Sequence, residues 1–405
     1  MLDRLNAGAL LASRGAIIGL FFTLSFSRSL FVLCAVVALV GWLLAGQYRL
    51  RSRALLKNRA AALMFALVLY IFVASTVMHV GFDTDYALNI YWKLLVIPII
   101  ATTMVQERDL ETCWRAYALG ASVLLLHVIF LQWHPLPWVS NGDPASVFFN
   151  PLPQAICLAI FAGWCVFRLG ENDLHPLWRI IFLIVFAAST WAVFVVSHQR
   201  LAALSWAIMV GAGIFLRLPD RWRISGAIVC FVVVSSFLFS NDVFRQRMEV
   251  GFQEFMSSTQ ESNYSSMGAR REMWSAAWSG IQEAPWLGHG AGSYSRLAEQ
   301  FFDDPEMCAI GCPYPHQQYL LFWVEGGLAQ LAIYIGMLFF IGKYHFSQPG
   351  FHLLALPLLV VVMLTGFFDS LFWYRGYLYL FVPMIGLLMM QRPSAAKEQP
   401  SLCNT

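Results

Sequence analysis

Three stretches of this sequence carry side chains able to work together on a phosphate ester. SHQRLAAL, residues 197–204, presents Arg200. ARREMWSAAWSGIQEAPWLGHGAGSY, residues 269–294, presents Arg270 and Arg271. PHQQYLLFWVEGGLAQL, residues 315–331, presents His316. An Arg guanidinium donates two parallel hydrogen bonds, which suits phosphate or pyrophosphate. Pro315 favours a helix start at His316, and the positive end of that helix favours the neutral, proton-accepting imidazole. Such a His can take a proton from a hydroxyl. Each residue also has a plainer reading. His316 could be a hydrogen-bonded interfacial His, and any single Arg could snorkel to lipid headgroups. His198 and His289 read as structural. Asp83-Thr84-Asp85 reads as a turn or helix cap before it reads as a metal pair.

Composition decides which elements hold these residues. The chain has 405 residues, 59% of them hydrophobic and 12% charged, against ~25% charged in ordinary soluble domains. A water-soluble fold cannot cover its surface with so few charges. An ordinary cytosolic enzyme and a disordered chain are excluded, and a net charge of +3 gives no footing for nucleic acid. A helix crossing the bilayer needs about 20 mostly apolar residues. Twelve segments meet that need, near 9–26, 29–46, 60–80, 88–105, 114–133, 151–168, 177–196, 201–217, 222–239, 317–342, 350–369 and 372–390. They are too long and too uniformly apolar for β-barrel strands. The expected fold is therefore all-α and polytopic. Helices one to nine fall in 1–240, one large loop in 241–316, the last three helices in 317–390, and a polar tail in 391–405.

Lys and Arg counts orient the chain. Arg49, Arg51, Arg53, Lys57 and Arg59 share one loop. Arg108, Arg115, Arg168, Arg179, Arg217, Arg221, Arg223, Lys343, Arg392 and Lys397 follow in alternate loops. Both termini are expected in the cytoplasm and the large loop outside. Arg28, Lys93, Arg200 and Arg375 then lie at outer span ends, where positive charge is disfavoured and calls for a function. With Arg245, Arg247, Arg270, Arg271 and Arg296 in the loop, they point to an anion at the outer leaflet.

Within the loop, residues 243–256 group apolar side chains on one helical face, as an interfacial helix or a helix packed on the bundle would. Arg270, Trp274, Ala277, Trp278 and Ile281 keep helical spacing. Pro285 ends that helix, and Gly288, Gly290 and Gly292 form a turn that lacks the Lys-Ser/Thr of a phosphate loop. Cys308 and Cys312 lie outside the spans on the oxidising side, so a disulfide is expected there. Asp303, Asp304 and Glu306 form an acidic patch. Glu325, before Gly326-Gly327, is placed to pair with an Arg, and Asp369 closes a span.

The order of these motifs resembles the O-antigen ligase and polymerase superfamily. Arg200 matches an Arg opening a span. Arg270, four residues before Trp274 and followed by the Pro-x-x-Gly-x-Gly turn, matches a second. His316 matches a His that opens a later span. Gln317 stands where the family has Asn, and Gln199 where Ser is common. The resemblance covers residues 197–330 and implies a GT-C-like glycosyltransferase of the bacterial inner membrane, with its active site facing the periplasm. It implies a polysaccharide donor on undecaprenyl pyrophosphate and a lipid A-core hydroxyl as acceptor, transferred with inversion. Chain length favours the ligase, with the polymerase second. In that reading His316, Arg270 and Arg200 carry catalysis, and Arg28, Lys93, Arg375 and Arg271 assist at the pyrophosphate. Neither a metal nor a cofactor is expected. A lipid-linked glycan flippase or transporter would also fit twelve spans, but it calls for charges near mid-membrane.

Overall fold

Capping signals in the sequence set the helix starts. Ser27 accepts from Leu30 N, Asn58 from Ala61 N, and Gln106 with Asp109 closes a capping box; Pro151 and Pro176 occupy first-turn positions, where no N–H is needed. The protein was analysed as a computed structural model. It describes residues 2–78, 82–134, 143–148, 150–219, 266–302, 305–348 and 353–391, with isolated positions 221, 225, 228 and 249. Every regular element among them is helical. In chain order these are α1 (Leu2–Thr23), α2 (Arg28–Leu44), α3 (Tyr48–Lys57), α4 (Arg59–Val77), α5 (Phe82–Tyr91), α6 (Val96–Thr103), α7 (Glu107–Leu131), α8 (Pro151–Leu169), α9 (Pro176–Trp191) and α10 (Arg200–Phe215). After the large loop begins come α11 (Ser266–Glu283), α12 (Ser293–Ala298), α13 (Pro305–Gly311), α14 (Gln318–Ser347), α15 (Ala355–Phe368) and α16 (Arg375–Leu388).

Among the described residues, seven helical segments are long and apolar enough to cross a membrane, and the bent pair α2–α3, taken as one span, makes an eighth. The chain is a multi-pass membrane protein. Twelve spans of about 20 residues each were expected, and the structure differs in a specific way. α10, α15 and α16 have only 16, 14 and 14 residues. A 14-residue helix covers about 21 Å, short of the ~30 Å hydrocarbon layer. α15 and α16 are joined by the non-helical segment 369–374. It is tolerated because it is buried in protein: Ser370, Leu371 and Phe372 have no exposed surface. The expected span at 222–239 and the amphipathic segment 243–256 lie outside the described residues, as do Asp303, Asp304 and the tail after 391.

α1 packs on α2 and α7, α8 on α9 and α10, α4 along α14, and α6 along α16; α15 lies against α10 and α14. Gly163 lets α8 and α10 approach closely, since a Cβ there would stand 2.6 Å from Met209 Cβ. Among the described residues, the Arg14–Asp109 ion pair joins α1 to α7, and Arg168 with Glu111 joins α8 to α7. α11 of the large loop lies on α14.

Candidate functional site

His316 sits in the left-handed region, φ 48°. That conformation costs a non-glycine residue roughly 1–2 kcal/mol, so its surroundings must enforce it. They do so by stitching 316–318 to 369–372. Gln317 N donates to Ser370 Oγ at 3.2 Å, and Phe372 N donates to Gln318 Oε1 at 2.9 Å. Gln317 Oε1 accepts from Leu320 N at 2.6 Å and caps α14. The Gln found in place of Asn therefore performs the capping task. From the loop side, Trp274 Nε1 donates to the Pro315 carbonyl at 3.1 Å.

The imidazole then meets an acid 53 residues away: His316 Nδ1 lies 3.0 Å from Asp369 Oδ1. Asp369 is 7% exposed and accepts from Ser370 N at 2.8 Å and from the Tyr377 hydroxyl at 3.0 Å. With the carboxylate acting as acceptor, the shared hydrogen belongs on Nδ1, and Nε2 presents a lone pair. The Tyr314 ring lies 4.4 Å from the imidazole. Burial, reinforced by the Asp369 charge, pushes the Tyr314 hydroxyl up, so it remains protonated at neutral pH.

Tyr314 also lines a cavity of about 590 Å³, together with Arg28, Tyr86, Glu299, Tyr374 and Arg375. Arg28 heads α2 and donates to the Phe148 carbonyl at 3.3 Å. Arg375 heads α16 and lies over the Tyr86 ring at 5.5 Å. Lys93 is nearby in the field of Arg375, over the Trp92 ring at 5.0 Å, and it donates to the Asn89 carbonyl. Cys308 and Cys312 form a disulfide on the cavity wall.

Arg270 is half-buried on α11, one turn before Trp274 and on the face whose indole reaches Pro315. Arg271 is exposed on the same helix. Arg200 is exposed at the head of α10, a helix that packs on α15, which delivers Asp369. His316, Arg28, Arg375 and the disulfide thus gather around one region through Tyr314, Trp274 of α11 reaches it at Pro315, and Arg200 heads a helix that packs on α15. Asp85 is exposed, the Asp83 side chain is outside the described residues, and no cluster of three or more metal-ligating side chains occurs among the described residues.

The glycine turn and the Glu-Gly-Gly segment are one unit. α14 breaks at Gly327, φ 66°, and the turn fills the break. His289 N donates to Val324 O at 3.0 Å, Gly290 N to Glu325 O at 2.8 Å, and Leu328 N to Pro285 O at 2.8 Å. Neither chain tolerates a side chain at the contact. A Cβ on Gly288 would meet Glu325 C at 2.5 Å, and one on Gly327 would meet Trp286 C at 2.2 Å. Glu325, expected to pair with an Arg, instead accepts from Tyr91 OH and Gly292 N, each at 2.8 Å. It is 1% exposed and holds the turn in place. His289 Nε2 lies 2.8 Å from the Gly280 carbonyl, within the same unit.

Asp369 is the candidate residue to which the motifs gave least weight. Its signal was present, since an acid at the end of an apolar span marks function by default. Tyr314, Tyr86 and Glu299 carried no such signal. No curated relative matches the chain. The family described as O-antigen ligase matches residues 182–335, a stretch that runs from α9 through the loop into α14 and contains Arg200, Arg270 and His316. Over residues 182–335 this multi-pass helical protein is similar to the O-antigen ligase family.

Proposed function

We propose that the protein ligates O-antigen polysaccharide from undecaprenyl pyrophosphate to a sugar hydroxyl of lipid A-core, at the periplasmic face of the bacterial inner membrane. The observation that carries this reading is the His316–Asp369 pair at 3.0 Å, with Trp274 bonded to the preceding Pro315 and a cavity lined by aromatic and charged side chains beside it. In the reaction the acceptor oxygen forms a bond to the anomeric carbon. The bond from that carbon to the pyrophosphate oxygen breaks, and its electron pair leaves with the lipid pyrophosphate. His316 Nε2 takes or positions the hydroxyl proton. Asp369 fixes the ring and stabilises the imidazolium that forms. Arg270 and Arg200 stabilise charge growing on the leaving group. Attack from the face opposite the leaving group inverts the anomeric carbon.

Reconstitution tests the proposal. Purified protein, lipid-linked polysaccharide and lipid A-core should give a lipopolysaccharide ladder on a gel. Longer lipid-linked chains formed without lipid A-core would assign the protein as a polymerase. Translocation of lipid-linked glycan without any new bond would assign it as a transporter.

A further inference from the structure

The cations of the outer end fall into two sets with different company. Arg270 is on α11 beside a tryptophan. Arg28 and Arg375 face the 590 Å³ cavity together with Tyr86, Tyr314, Trp373 and Tyr374, and with Glu299 and Ser295. Aromatic faces suit the C–H faces of sugar rings, and a few placed polar groups suit their hydroxyls. The volume is in the range of ordinary ligand pockets, about 300–1,000 Å³. Glu299 is the discriminating residue. A carboxylate lining the cavity repels a doubly charged pyrophosphate but serves as a hydroxyl acceptor for a sugar. Among the described residues lining the cavity, two guanidinia stand against one carboxylate, an excess of one positive charge that suits one anionic group carried on a saccharide.

We infer that this cavity is the subsite for the acceptor and that Arg28 and Arg375 bind a phosphate or carboxylate on its sugars. The word acceptor rests on the ligase reading; the binding itself does not. This moves Arg28 and Arg375 from the donor pyrophosphate, where the sequence placed them, to the other substrate. Tyr314 bridges the two functions: its ring lines the saccharide cavity and contacts the His316 imidazole.

Binding without donor tests the inference independently of catalysis. The detergent-solubilised full chain is titrated with core oligosaccharide in three forms: native, dephosphorylated, and carboxyl-reduced. Native oligosaccharide should bind about tenfold more tightly than at least one stripped form, and which form loses affinity identifies the anion. Arg28→Ala and Arg375→Ala should each erase that preference, and Glu299→Gln should strengthen native binding severalfold. The Glu299 variant gains affinity, so misfolding cannot imitate it. Equal binding of all three forms overturns the inference, as does a preference that survives both Arg variants. So does a tenfold loss of undecaprenyl pyrophosphate binding in those variants with oligosaccharide binding intact, which would return the cavity to the donor. Failure of the ligase reading would appear separately, as oligosaccharide binding without transfer.

Discussion

The chain opens two helices with the same pair of residues, and among the described residues only one opening sets its histidine against a carboxylate. His198-Gln199 precedes α10, and His316-Gln317 precedes α14. Both histidines are left-handed, φ 51° and 48°. Both glutamines are extended N-caps, with φ −89° and −160°. At His316 the cap closes on Leu320 N and the ring faces Asp369. At His198 the cap side chain turns back to the Ser197 carbonyl, and no carboxylate lies within hydrogen-bond reach of the ring among the described residues. The same backbone device therefore serves two ends. In one it aims an imidazole at an acid, and in the other it brings Arg200 to the head of its helix. The difference lies in what a distant helix supplies, not in the dipeptide.

That contrast can be broken by experiment. The largest effect is expected for His316→Ala, about 10³-fold or more in transfer rate with membrane insertion unchanged, while His198→Ala should stay within about threefold. Equal losses in both would erase the distinction. Arg270→Ala should lower kcat by about 10²-fold or more, as loss of a leaving-group cation does. A change confined to KM would instead make Arg270 a binding group for substrate as a whole. Asp369→Asn should cost about 10- to 100-fold by loosening the ring it orients. A wild-type rate there would show that His316 needs no acid. Gln317→Ala should lower stability by about 1 kcal/mol, read as a fall in melting temperature, and Gln199→Ala by much less. Finally, chelation with EDTA should leave transfer unchanged. Loss of activity restored by a divalent ion would point back to Asp83 and Asp85.

How far the sequence could carry this site depends on range. Hydropathy located the spans because hydrocarbon imposes a minimum length on each. It could not reveal that α15 and α16 stop short. Leu371, Phe372, Trp373 and Tyr374 are apolar whether they continue a helix or fill a buried loop, so the last span reads from 372 although α16 begins at Arg375. Local spacing placed Arg270 on the face of Trp274 and ended α11 near Pro285. The pairing of His316 with Asp369 crosses 53 residues and follows no period. Glu325 shows the same limit: its partners, Tyr91 and Gly292, come from two other elements, and nothing adjacent to it names them.

The break in α14 also has a consequence for assembly. Carbonyls at Val324 and Glu325 lie where the helix cannot complete its own ladder, and residues 285–290 of the large loop provide their donors. In the proposed orientation that loop reaches its place only after crossing the membrane. The span can thus insert early but cannot take its final shape until the turn arrives from the far side. Export of the loop becomes a checkpoint in biogenesis: a chain whose loop is held in the cytoplasm leaves a helix with a gap, and His316, eight residues before that gap at Val324, unset.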